Sequence, residues 1–173
     1  MSIITFTSDY GLVDHRVPSV KGKILSLNEN VKIIDISHEI QAYNLLQTAV
    51  DSFYTKDRKC ILYQADGHYF IAADNGVLSL IFYDIKPEAV YEITFNNRFD
   101  DEVNFTSTDI FAPVAVHLKN GGLPEVIGRK YKNPKQLSFP RAVYNESERM
   151  IIGEIMYIDN FGNVISNISK KFF

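Results

Sequence analysis

The sequence predicts an α/β fold, and three observations predict it. Ile3-Ile4-Thr5-Phe6-Thr7 is β-branched and aromatic almost throughout, the pattern of a strand with both faces buried. Gly11 breaks that run, and Asp14 precedes apolar residues at Val17, Val20, Ile24 and Leu27, the spacing of one helix face. The alternation then repeats: Val31 to Ile36 reads as a second buried strand, followed by the polar turn Ser37-His38-Glu39. In folds of this kind ligands collect beyond the carboxyl ends of the strands. Asp9 and Asp14 stand at that rim, where a carboxylate can accept two hydrogen bonds from a ribose diol. The alternative is that Asp9 closes an Asx-turn and Asp14 caps the helix.

The remaining elements follow in order. Asn44 to Phe53 places Leu46, Ala49, Val50 and Phe53 on one helix face, with Asn44 as its cap. Short strands run from Cys60 to Tyr63 and from Tyr69 to Ala72, joined by a turn at Asp66-Gly67. Asp74-Asn75-Gly76 opens a short apolar helix, Val77 to Phe82, and Ala89 to Phe95 alternates as a strand. A polar loop leads from Asn96 to Asn104. Thr106 to Asp109 then crowd the start of a helix that runs to about Leu118 and ends at Gly121-Gly122. Pro113 falls early in that helix, where a missing N–H costs least. Leu123 to Ser147 reads as loop. Met150 to Asp159 and Val164 to Ile168 read as two strands around Asn160-Phe161-Gly162-Asn163, a hairpin signal.

Composition narrows the partners. With 18 Lys and Arg against 21 Asp and Glu, the net charge is -3, and neither sign forms a long block. Such a chain offers no basic field to nucleic acid. It has no apolar run of membrane-spanning length and no apolar signal core at its N-terminus. Cys60 stands alone, so no internal disulfide is expected, which suits a reducing, cytoplasmic setting. His15, His38, His68 and His117 are not at metal-ligand spacing, and no metal or cofactor is expected.

Several separate stretches share one pattern. They are Thr7-Ser8-Asp9-Tyr10-Gly11 with Lys21-Gly22, Asp35-Ile36-Ser37-His38, Asp74-Asn75-Gly76-Val77-Leu78-Ser79, Asp109 to Leu118, and Ile158 to Ile168 with its Asp159-Asn160-Phe161-Gly162-Asn163 core. In this order they resemble the S-adenosyl-L-methionine hydroxide adenosyltransferases, the family that also contains fluorinases and chlorinases. The resemblance implies an α/β N-terminal domain, a β-barrel-like C-terminal domain, and trimers that bind the nucleoside between neighbouring subunits. It also implies the chemistry: S-adenosylmethionine is split by attack of water or halide at the ribose C5′ carbon, with methionine leaving.

This chain departs from the family pattern at the catalytic positions. The family places an Asp in an Asp-Pro-Gly-Val-Gly loop, followed by an Arg. Here Phe53-Tyr54 leads straight on to Lys56-Asp57-Arg58-Lys59-Cys60, so Arg58 lacks that Asp partner. The family motif Phe-His-Gly-Arg-Asp reads Phe105-Thr106-Ser107-Thr108-Asp109, with Thr106 in place of His. A threonine hydroxyl is not appreciably ionised at neutral pH, and general-base assistance is worth about 10²–10⁴-fold. The chain also stops soon after Ile168. It is therefore expected to comprise an α/β nucleoside-binding domain, residues 1–147, and a truncated C-terminal β remnant, residues 148–173.

The binding positions are better kept. By the resemblance, Asp9 accepts the ribose diol, Tyr10 stands beside it, Asp14 supports it, and Tyr43 packs over the ligand. Asn75, Phe105, Ser107, Asp159, Phe161 and Asn163 match further pocket positions. Each has a simpler role open to it: Phe161 as a hairpin staple, Asn163 as a turn residue, Ser107 as a helix cap. The leading expectation is a pseudoenzyme that binds an adenosine-containing small molecule, S-adenosylmethionine or another adenosine nucleotide, without efficient turnover. It would act as a sensor or a sequestering sponge, such as a viral one that neutralises a host nucleotide signal. The alternative is a divergent enzyme cleaving S-adenosylmethionine to adenosine and methionine, with Arg58 and Ser107 as catalytic candidates. A third is a subunit that uses the fold for assembly alone. A homo-oligomer is expected, a trimer by the resemblance, with Phe172 and Phe173 near an interface and no membrane or nucleic-acid partner.

Overall fold

The computed structural model describes residues 3–39, 59–83, 85–94, 105–137 and 140–170. The chain opens with β1 (Ile3–Thr7), passes into α1 (Arg16–Leu27) and returns as β2 (Lys32–Ser37). β1 and β2 pair in parallel, Ile3 beside Lys32 and Phe6 beside Asp35, which makes this the crossover unit of an α/β fold. Ile4, Phe6 and Ile33 pack against Val20 and Ile24 of α1 together with Ala112 and Val116. Ile3, Ile34 and Ile36, on the opposite face, are exposed. Among the described residues, the helices that cover the two strands lie on one face, so the strands are packed on that face rather than on both. Leu27, at the last position of α1, is exposed as well.

The larger sheet is antiparallel. It is built from β3 (Cys60–Ala65), β4 (His68–Ala73), β5 (Ala89–Ile93) and β6 (Gly128–Lys130), in the order β4-β3-β5-β6. β3 and β4 turn through Asp66 and Gly67 at φ 50° and 70°, the left-handed pair a two-residue hairpin needs. Side chains of β3 alternate between two cores. Cys60 and Leu62 join Tyr91, Ile110, Val114 and Ile127 on one face. Ile61 and Tyr63 join Ala72, Val77, Leu78 and Val90 on the other, under α2 (Val77–Ile81). Leu62 and Val114 have no exposed surface. α3 (Ala112–Lys119) carries Val114, and Gly121 ends it at φ 85°.

Two expectations are corrected by long-range pairing. The stretch read as loop from Leu123 contains α4 (Pro124–Ile127), β6 and β7 (Val143–Asn145). Gly128-Arg129-Lys130 has no strand pattern of its own. It becomes one because Ile93, Glu92 and Tyr91 pair with it, and Arg129 forms an ion pair with Glu92 at 3.2 Å. A Cβ at Gly128 would stand 2.2 Å from the Glu92 carbonyl oxygen, so only glycine permits this approach. Likewise, Met150 to Asp159 is not one strand but two, β8 (Met150–Ile152) and β9 (Ile155–Ile158). The break comes at Gly153, where a Cβ would meet Ile168 Cγ1 at 2.4 Å. β8 pairs with β7, whereas β9 pairs with β10 (Val164–Ser166) in the expected hairpin.

By its internal contacts the chain divides into two compact units, Met1–Leu137 and Ser138–Phe173. The helix expected at Asn44 to Phe53 and the loop from Asn96 to Asn104 lie outside the described residues, as do Phe172 and Phe173. Among the described residues no helix is long and apolar enough to cross a membrane.

Candidate functional site

The site begins where β1 ends. A register shift after Phe6 brings Thr7 opposite Ser37, and the two chains run on side by side beyond the ladder. Gly11 donates its N–H to the His38 carbonyl at 2.7 Å, turning the chain at φ 69°. Asp9 therefore sits on a tight loop at the carboxyl end of a parallel pair, the position where such folds collect ligands. Its Oδ1 is buried and has no hydrogen-bond partner among the described residues. A carboxylate oxygen shielded from water and left without a donor has hydrogen-bonding capacity that a donor from outside the chain can take up.

Tyr10 closes one side of this loop. Its hydroxyl is hydrogen-bonded to the Ser107 hydroxyl, its ring meets Phe6 edge-on at 6.5 Å, and the Arg16 guanidinium lies 5.7 Å from the ring centroid. Burial raises the Tyr10 phenol above its ordinary value, opposed by the Ser107 bond and assisted by the Asp9 charge. The phenol is therefore a neutral hydrogen-bonding group across the physiological range.

Ser107, the partner of Tyr10, is the first residue of a π turn. Ser107–Phe111 is π-helical, with the Ala112 N–H bonded to the carbonyl of Ser107, five residues back. Asp109 Oδ2 accepts the Phe105 N–H at 2.9 Å, and Thr108 Oγ1 donates to the Phe105 carbonyl at 3.2 Å, closing the first turn. Such turns are rare and concentrate at functional sites. The sequence read this stretch as the start of an ordinary helix, since one extra residue per turn leaves no mark on hydrophobic spacing. Ser107 is buried rather than serving as a helix cap, and Thr106 is buried beside it.

The other expected site residues are placed as follows. Asp14 accepts the Arg16 N–H at 2.8 Å and pairs with the Arg16 side chain at 3.4 Å, so it organises the entry to α1 one residue before its cap. Asn75 Oδ1 accepts the Val77 N–H at 3.0 Å and so starts α2. Phe105 is half-exposed. Asp159, Phe161 and Asn163 share the β9–β10 turn in the second unit. There Asp159 accepts from the Phe161 and Asn163 backbone N–H groups at 2.9 and 2.8 Å and from Asn163 Nδ2 at 2.7 Å. The Asn163 bonds, its side-chain amide first, hold the Asp159 carboxyl below the ordinary carboxylate range. Phe161 is 92% exposed and staples nothing in the hairpin. Tyr43 and Arg58 lie outside the described residues. Asp9, Tyr10 and Ser107 are thus the expected residues that the fold gathers in the first unit.

The order of these elements agrees with what the chain resembles among known proteins. Residues 4–50 and 47–128 match the profile of the SAM hydroxide adenosyltransferase N-terminal domain. The chain belongs to the SAM hydroxide adenosyltransferase family. It is 27% identical to a (R)-S-adenosyl-L-methionine hydrolase of Methanocaldococcus jannaschii over 195 aligned positions, covering 98% of this chain and 68% of the hydrolase. A fluorinase of Actinopolyspora mzabensis is 24% identical, with 97% of this chain and 72% of the fluorinase aligned. An uncharacterised conserved protein of Thermotoga maritima superimposes with a TM-score of 0.83 at 31% identity, over 99% of this chain and 73% of that one. The family's α/β fold, expected from the resemblance, is therefore the fold of this chain.

Proposed function

We propose that this member of the SAM hydroxide adenosyltransferase family binds an adenosine-containing small molecule, S-adenosylmethionine or a related nucleotide, without efficient turnover. The observation that carries the proposal is the buried, unpartnered Oδ1 of Asp9 at the carboxyl end of β1. A ribose diol supplies two O–H donors at the spacing of one carboxylate, and charge-assisted bonds of this kind are the strong ones. Tyr10 and Ser107 form a neutral hydroxyl pair beside it. Thr106, in the position where the family carries a histidine, supports loss of turnover, because its hydroxyl supplies no base at neutral pH. In this proposal the protein sequesters or senses its ligand and assembles as a homotrimer in the cytoplasm. Residues 148–173 then represent the start of the family's second domain.

A second reading has an observation of its own. Relatives aligned over nearly the whole chain include S-adenosylmethionine hydrolases, and a divergent hydrolase would keep the same ligand. One experiment separates the two. The protein is titrated with S-adenosylmethionine by calorimetry and the mixture is then followed by chromatography. Saturable binding with no adenosine or methionine above the uncatalysed rate is the expected result. Multiple turnovers would establish the enzyme reading, and absence of binding would remove both.

A further inference from the structure

The loop that carries Asp9 is held from beneath by a buried histidine. His38 is 4% exposed and Ser8 has no exposed surface; His38 Nδ1 lies 2.6 Å from Ser8 Oγ. At the other edge of the ring, Nε2 lies 3.1 Å from Asp35 Oδ1, without the alignment of a directed hydrogen bond. Lys21 Nζ donates to the second Asp35 oxygen at 2.5 Å. The backbone reinforces the arrangement. Ser8 N–H donates to the Ser37 carbonyl at 2.9 Å, Gly11 N–H to the His38 carbonyl at 2.7 Å, and Tyr10 N–H approaches Ser8 Oγ at 3.5 Å. Phe6 meets the imidazole edge-on at 4.8 Å.

Serine, histidine and aspartate in this order form the sequence of contacts in a hydrolytic triad. Here the serine is sealed off, so no substrate carbonyl can reach its oxygen, and a nucleophilic role is closed to it. A positional role remains. The backbone of a tight loop sets the Cα–Cβ direction along which a carboxylate leaves it, so a loop that is free to move cannot hold that carboxylate toward one place. The residue before Asp9 and the two after it all bond into the Ser8–His38 pair or its backbone. We propose that His38 is a positioning residue for Asp9: Asp35 and Lys21 anchor one edge of its ring, and the other edge fixes Ser8 and the direction of the carboxylate that follows. This rests on the reading of Asp9 as the ligand acceptor given above.

The test uses Ser8→Ala, His38→Gln and His38→Asn in the full chain, with S-adenosylmethionine as the probe. An asparagine amide falls near the position of Nδ1 and can keep the Ser8 bond, whereas a glutamine amide falls near Nε2 and keeps the Asp35 side only. Ser8→Ala and His38→Gln should each weaken binding about ten-fold, the double variant no more than either alone, and His38→Asn should retain most of the affinity. A second readout needs no ligand. Amide exchange at Tyr10 and Gly11 should accelerate in Ser8→Ala and His38→Gln relative to Leu62 and Val114 in the core. Equal losses for the Asn and Gln variants, or unchanged exchange at Tyr10 and Gly11, would overturn the inference. If the unmutated protein binds no S-adenosylmethionine, the ligand reading fails by itself and the exchange rates still decide whether His38 holds the loop. If His38→Gln does not fold, Ser8→Ala leaves the ring in place and carries both measurements.

Discussion

Tyr10 and Ser107 stand 97 positions apart in the chain and share a hydrogen bond between their hydroxyls. That bond ties the loop after the first strand to the start of a π turn. Tyr10→Phe and Ser107→Ala should each destabilise the fold. A double-mutant cycle by denaturant unfolding should return a coupling of about 0.5–1.5 kcal/mol, the usual net worth of one such bond. A coupling of zero would mean that the two hydroxyls are neighbours only.

Asp9 should show opposite effects on stability and on binding. Its Oδ1 is buried without a partner among the described residues, so Asp9→Asn gives up no hydrogen bond at that oxygen and should leave the melting temperature of the ligand-free protein unchanged or higher. The same change, like Asp9→Ala, should weaken nucleoside binding about ten-fold to a few hundred-fold, the loss expected for one or two charge-assisted bonds. A 2′,3′-dideoxy analogue should lose a comparable amount against the unmutated protein and little more against Asp9→Ala. Unchanged affinity in calorimetry would return Asp9 to the role of a turn residue.

Acid should expose the Asp35 anchor. The Lys21 hydrogen bond, followed by His38, holds the Asp35 carboxyl below the ordinary carboxylate range. A carboxyl lowered in the fold stabilises it fully above its unfolded value, about pH 3.9, and that contribution is lost as pH falls through the lower folded value. Asp35→Asn should therefore reduce stability at pH 7 and flatten the acid limb of the stability curve below about pH 4. Because the carboxylate is 41% exposed, raising the salt concentration should shrink the difference. Parallel acid limbs for both proteins would refute the assignment.

Gly76 is confined twice over. It opens α2 at φ 92°, and a Cβ there would stand 2.5 Å from Leu137 Cγ. Gly76→Ala should cost about 1–3 kcal/mol in denaturant unfolding, with the slope of the transition unchanged. Adding Leu137→Ala should recover the part due to crowding and leave the part due to backbone strain. Full recovery would show that the positive φ is not strained in this loop.

What the sequence determined by itself is whatever rests on neighbours in the chain. The Ile3–Thr7 strand, the α1 face of Val17, Val20 and Ile24, and the Asp66–Gly67 hairpin are written in periodicity and turn chemistry, which act within a few residues. Motif order was enough to point to the family as well. Gly128-Arg129-Lys130 is the contrary case, with no local preference to read, and it is a strand because β5 offers it an edge. The same holds at the site. Nothing near Asp9 in the chain says that one of its oxygens ends buried without a donor, that Ser107 arrives on a π turn, or that Ser8 rests on His38. Burial, desolvation and long-range hydrogen bonds depend on which distant segments meet, and only the tertiary structure decided that.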